Sequence, residues 1–143
     1  MPTSRATAVW EGTLKGGKGE FHAASGTFGG AYSFLTRFEG ANGATPEELI
    51  AAAHASCFSM ALSADLERAG TPATRIDTEA ACTIEIVERA PKITTLALKV
   101  RGKVPGLDRA AFQKAAEGAR DNCPVSKALK GNVELKLEAQ LES

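Results

Sequence analysis

No charge of either sign dominates this chain: 17 basic residues stand against 17 acidic ones, for a formal net charge of zero. That balance argues against a nucleic-acid or anionic-membrane partner drawn by bulk charge. No apolar run reads as long enough to cross a bilayer, and the start, MPTSRATAVWEG, lacks the apolar stretch of a signal peptide. A cytoplasmic setting is the expectation that follows. Cysteine is scarce, three in 143 residues, and in a reducing compartment three thiols make no structural disulfide framework. They are either small core residues or chemistry. Linkers, internal repeats and low-complexity segments are missing as well. Residues 1–143 therefore read as a single domain, large enough to bury a core without covalent staples.

What is present alternates between strand and helix patterns. RATAVWEG (5–12) reads as a strand, LKGGKG as a turn and GEFHAA as the returning hairpin strand. SGTFGGAYSFLTRFEG suggests a loop leading into a short strand near Tyr32–Phe38. A long helix follows from Pro46 to about Gly70, with Thr45 as its cap, Pro46 in the first position and Glu47 and Glu48 at the positive end of the dipole. Its run LIAAAHASCFSMAL is apolar nearly all round, so it needs cover on most sides. One small domain supplies that cover with difficulty unless a second subunit packs against it.

Two long strands are predicted next, at 75–90 and 92–104, with Ile76, Ala80, Cys82, Ile84 and Ile86 on one face of the first and Asp77, Glu79, Thr83 and Glu85 on the other. Pro105-Gly106 turns the chain into a helix capped by Asp108 and running to about Asn122. A short helix after Cys123 ends at Gly131, and NVELKLEAQLES is a last strand. The order β-β-β-α-β-β-α-α-β is an α+β arrangement, an antiparallel sheet packed against helices.

The three cysteines sit in unlike surroundings. Cys57 is in mid-helix, where its own backbone N–H is already used, so a reactive thiolate there needs a nearby cation. Arg37, in SFLTRFEG just upstream, is the nearest suitable one. Amid alanine, phenylalanine and methionine, Cys57 also reads as a plain core residue. Cys123 sits before Pro124 at a helix start, where unpaired N–H groups and the positive dipole end favour a thiolate and hence a good leaving group. It also reads as a cysteine standing in for a capping serine. Cys82 shares its face with Ile84 and Ile86 and reads as core. His54 and Cys57, spaced i, i+3, could share a metal, and with His22 and the other cysteines a zinc site is conceivable, but no CxxC or HxxxH spacing supports it. Glu47 lies about 15 Å along the helix axis from Cys57, so it works through Arg37, or on a partner chain's helix, or only stabilises its own helix end.

Taken together, TRFEG (36–40), PEELIAAAHASCFSMAL (46–62) and CPVSKAL (123–129) resemble the signature segments of the OsmC/Ohr family, bacterial thiol peroxidases of organic hydroperoxides. WEG near the N-terminus, IDT at 76–78 and VPG at 104–106 extend the likeness over essentially the whole chain. TRFEG is a feature of the osmotically inducible, OsmC branch. By position, the resemblance implies that Cys57 is the peroxidatic cysteine and Cys123 the resolving one. Arg37 would hold the thiolate and Glu47 would position Arg37. It also implies an intertwined homodimer and recycling by a dithiol, lipoyl-type in the Ohr branch; no metal or organic cofactor is expected.

The chemistry agrees with those roles: peroxide reduction needs a thiolate, a cation near the developing charge, and a second thiol that prevents over-oxidation. Phe34, Phe38, Ile50, Phe58 and Met60 are candidate apolar walls for an organic substrate. The rival expectations are a dimer that holds a small hydrophobic ligand without catalysis, and one whose thiols only sense oxidants.

Overall fold

The computed structural model describes residues 1–142. The chain forms two compact units, Met1–Leu49 and Ile50 to the C-terminus.

The first unit is a three-stranded antiparallel sheet of β1 (Ala6–Glu11), β2 (Lys18–Ala23) and β3 (Gly29–Tyr32), in that order. Gly19 of β2 pairs with Trp10 on one side and Tyr32 on the other. A Cβ on Gly19 would fall 2.6 Å from the Tyr32 ring and 2.8 Å from the Trp10 ring. Its absence lets the two aromatic rings meet across the strand, centroids 5.6 Å apart.

The strand expected near Tyr32–Phe38 stops at Tyr32; Phe34–Phe38 is instead a short helix, α1. The reason is a capping box. Ser33 Oγ accepts from the Thr36 N–H at 3.2 Å, and Thr36 Oγ1 accepts from the Ser33 N–H at 2.9 Å. The element order therefore gains a helix, β-β-β-α-α-β-β-α-α-β.

The long helix α2 (Pro46–Arg68) begins where expected, with Thr45 Oγ1 accepting from the Glu48 N–H at 2.9 Å. One expectation needs correcting: at 23 residues this helix is, by length and composition, apolar enough to cross a membrane. Part of it is a core helix. Phe58, Leu62 and Leu66, one stripe at i, i+4, i+8, are buried in the second unit. Each such side chain contributes roughly 1.5–3 kcal/mol by leaving water. Ala52, Ala53 and Ser56 stay exposed, as does Met60 at 75%. A single chain thus covers only part of this all-round apolar helix.

The second unit carries the larger sheet, β4 (Arg75–Val87), β5 (Ala90–Lys103) and β6 (Glu134–Glu142). Leu96, Leu98 and Val100 alternate inward on β5 and are buried; Lys99 and Arg101 face outward and pair with Glu138 and Glu142 at 3.9 and 3.7 Å. The sheet is mixed rather than antiparallel, because β6 runs parallel to β5. A parallel pair needs a crossover, and α3 (Arg109–Asn122) and α4 (Pro124–Leu129) supply it.

Asp108 caps α3 through the Ala111 N–H at 2.8 Å. Its Phe112, Ala116 and Ala119 complete the core, and Gly102 of β5 leaves the space that the Phe112 ring fills. On β4, Ile76, Ala80 and Cys82 pack against this core as expected. Ile86 does not: it is 66% exposed where the hairpin runs past the core.

Candidate active site

Arg37 and Glu47 are brought together within the first unit. Arg37 stands in the last turn of α1, and Glu47 in the first turn of α2. Its Nε and Nη2 both donate to Glu47 Oε1, at 3.0 and 2.7 Å. The carboxylate is 5% exposed, and its Oε2 has no partner among the described residues. A nearly buried charge of this kind is tolerable only with the guanidinium beside it. Of the routes open to Glu47 in the sequence, the geometry provides the one through Arg37 of the same chain. Arg37 also lies over the Phe38 ring, 5.4 Å from its centroid, and Phe38 stacks on Phe34 at 5.0 Å.

Cys57 and Cys123 are brought together within the second unit. Cys123 closes α3 and caps α4, its Sγ accepting from the Ser126 N–H at 3.3 Å. Cys57, half-buried on α2, bonds to the Cys123 side chain and receives the backbone N–H of Val125. The amides that open α4 are therefore shared between the two sulfurs. A second helix thus supplies Cys57 with a donor that its own helix cannot. Burial pushes the Cys57 thiol up from its ordinary value; the Val125 N–H pulls it down, and Cys123 pushes it up again.

Both Cys57 and Cys123 are free thiols. Cys82 packs at the edge of the core. Phe58, a candidate wall, is wholly buried and belongs to the core, whereas Met60 is on the surface. Among the described residues no three of His, Cys, Asp or Glu gather as a metal would require.

The sequence patterns of the family described as "OsmC-like protein" match residues 39–138. The chain belongs to the OsmC-like family. It is 46% identical over 140 residues to "Peroxiredoxin OsmC" of Escherichia coli (strain K12), covering 97% of this chain and 96% of that protein. It is 30% identical over 99 residues to the "Organic hydroperoxide resistance protein" of Xanthomonas axonopodis pv. citri, covering 68% of each. Among solved structures, the organic hydroperoxide resistance protein OhrB of Bacillus subtilis superposes with a TM-score of 0.75 at 26% identity, over 96% of this chain and 98% of that one. The matched segment of this OsmC-like chain contains Glu47, Cys57 and Cys123; Arg37 lies just before it.

Two residues beside the thiols are not among the sequence candidates: Ser126, and Val125 through its backbone. The signal for Ser126 is its place in CPVSKAL, three residues beyond the capping sulfur, where a backbone N–H meets a cap. His54, considered above only as a metal ligand, is fully buried, and its Nε2 lies 2.6 Å from Ser126 Oγ.

Burial lowers the imidazole's affinity for a proton. Below about pH 6.5, the ordinary imidazole value, the unfolded chain takes up a proton that the folded chain resists, so stability falls on acidification. We expect the midpoint of thermal unfolding to drop between pH 7.5 and 5.5. Part of that slope should vanish in His54→Phe, as calorimetry at the two pH values would show.

Proposed function

We propose that this chain is a cysteine peroxidase that reduces organic hydroperoxides to alcohols, serving oxidative and osmotic stress defence. The observation that supports this reading most is the contact between Cys57 and Cys123 at the start of α4, in a chain 46% identical to a peroxiredoxin.

In this reading Cys57 attacks, as thiolate, the terminal oxygen of the hydroperoxide. The O–O bond breaks, the alkoxide leaves and takes a proton to become the alcohol, and Cys57 is left as a sulfenic acid. Cys123 then attacks the sulfenic sulfur, the S–O bond breaks, and a Cys57–Cys123 disulfide forms with loss of water. A dithiol, of lipoyl type or another, returns both thiols. Arg37 holds the Cys57 thiolate and the negative charge that moves onto the leaving oxygen, and Glu47 fixes the guanidinium. No metal or organic cofactor takes part. The working unit is a homodimer in the cytoplasm, with the solvent-exposed part of α2 as the surface that a second subunit would cover.

A thiol count tests this. Reduced protein mixed with one equivalent of an alkyl hydroperoxide should consume it and lose two titratable thiols, while Cys82 remains. Loss of no thiols, with the hydroperoxide left intact, would favour a non-catalytic ligand-binding dimer instead.

A further inference from the structure

His54 takes no part in the steps above, yet it is the fully buried end of a chain of bonds that reaches the resolving sulfur. Its Nε2 lies 2.6 Å from Ser126 Oγ, and Ser126 Oγ lies 3.0 Å from Cys123 Sγ. Ser126 and Cys123 are each 1% exposed, and Ser126 also donates its backbone N–H to the same sulfur.

The bonds can run in two directions. If the Cys123 thiol donates to Ser126 and Ser126 to the imidazole, the ring hydrogen must sit on Nδ1. That atom is buried and has no hydrogen-bond partner among the described residues. A buried N–H without an acceptor loses its hydration for nothing and is rare in folded proteins. In the opposite direction the hydrogen is on Nε2 and is donated to Ser126 Oγ. The serine hydroxyl then donates to Cys123 Sγ, and Nδ1 keeps only an idle lone pair. This second direction places two donors from one residue, its O–H and its N–H, on the Cys123 sulfur.

We propose that His54 is a positioning residue of the second half-reaction: its Nε2–H holds the Ser126 hydroxyl in the rotamer that donates to Cys123 Sγ as that sulfur attacks the Cys57 sulfenic acid. The proposal rests on the peroxidase reading. Burial keeps the imidazole neutral, which suits a fixed donor rather than a charge.

In the step itself the Cys123 sulfur attacks the Cys57 sulfenic sulfur as its own S–H bond breaks. The S–S bond forms as the S–O bond of the sulfenic acid breaks, and the departing hydroxide takes the proton that the Cys123 thiol gives up and leaves as water. The two Ser126 donors lower the cost of holding negative charge on a sulfur that water does not reach. The ionisable groups of the cluster are Cys57, Cys123 and His54 itself.

Stopped-flow kinetics with an alkyl hydroperoxide and the full-length chain would separate sulfenic-acid formation from disulfide closure. His54→Phe and Ser126→Ala should each lower the ratio of the second rate to the first by about tenfold or more. His54→Gln, whose side-chain amide can reach the Nε2 position, should recover most of it. Should His54→Phe not fold, His54→Asn replaces it, since its shorter amide stops at the Nδ1 position.

A second readout needs no peroxide. In a Cys57→Ser/Cys82→Ala background, which leaves Cys123 as the one thiol, ultraviolet thiolate absorbance should show Cys123 ionising about one pH unit higher when Ser126→Ala or His54→Phe is added. An unchanged rate ratio in both variants, or His54→Gln as slow as His54→Phe, overturns the proposal. If the parent chain consumes no hydroperoxide, the peroxidase reading is what fails, and the absorbance titration still decides whether His54 acts on the Cys123 sulfur.

Discussion

Replacing Cys57 by serine should lower hydroperoxide consumption by about three orders of magnitude or more, the scale of loss when an essential nucleophile is removed. The hydroxyl has nearly the shape of the thiol but remains protonated at neutral pH, so nothing in the site can attack the O–O bond. Folding should survive, because Cys57 is only half-buried beside the core cluster. Cys123→Ser gives the contrasting result. It should consume a first equivalent of hydroperoxide at a rate near the parent's and a second, more slowly, as excess hydroperoxide drives the unresolved Cys57 sulfenic acid on to sulfinic acid, found so by mass spectrometry; consumption should then stop. If Cys57→Ser consumes an alkyl hydroperoxide as fast as the parent chain, the peroxidase reading is wrong.

Removing Arg37 should cost about a hundredfold to a thousandfold in kcat/KM, the range seen when one preorganised donor to a developing anion is lost. The same change has a structural cost that must be separated from the catalytic one. Arg37→Met leaves the Glu47 carboxylate 5% exposed with its two guanidinium bonds gone. An unpaired charge so placed destabilises a fold by up to about 3–5 kcal/mol. Because Arg37 is itself a third exposed, solvent screening brings the expected loss toward the low end of that range or below it.

The double variant Arg37→Met/Glu47→Leu distinguishes the two costs. Removing both charges should restore most of the melting temperature and none of the activity. Recovery of activity together with stability would mean that Arg37 serves the fold alone. Glu47→Gln is a milder probe: it keeps one acceptor for the guanidinium but no charge, so a loss of about tenfold is expected, within the usual worth of a charge-assisted bond.

How far the site could be read from the sequence follows from the range of the interactions involved. Thr45, Asp108 and Cys123 cap their helices as expected, because a cap is decided within three residues of chain. The inward face of β4 follows from alternation as far as Cys82, before the register shifts between Thr83 and Ile84. Two local signals were harder to see. Ser33 and Thr36 form a capping box inside an aromatic run that reads as strand. The β4–β5 turn uses Glu88 and Arg89 at φ 50° and 68°, where a two-residue hairpin turn ordinarily has glycine or asparagine.

The sequence by itself determined the identities that any thiol chemistry here must use. An arginine precedes a long apolar helix, one cysteine sits in mid-helix, and another stands before a proline at a helix start. It also determined the family, since those segments occur together in one order. Only the tertiary structure decided which partners each group has. Glu47 meets Arg37 across ten residues of chain, β6 enters the sheet parallel rather than antiparallel, and His54 reaches Ser126 across 72 residues. The reason is that a helix directs its side chains by a local period, whereas the donor that meets a given sulfur comes from whichever element packs against it. For Cys57 that element is α4, whose opening amides serve both sulfurs at once.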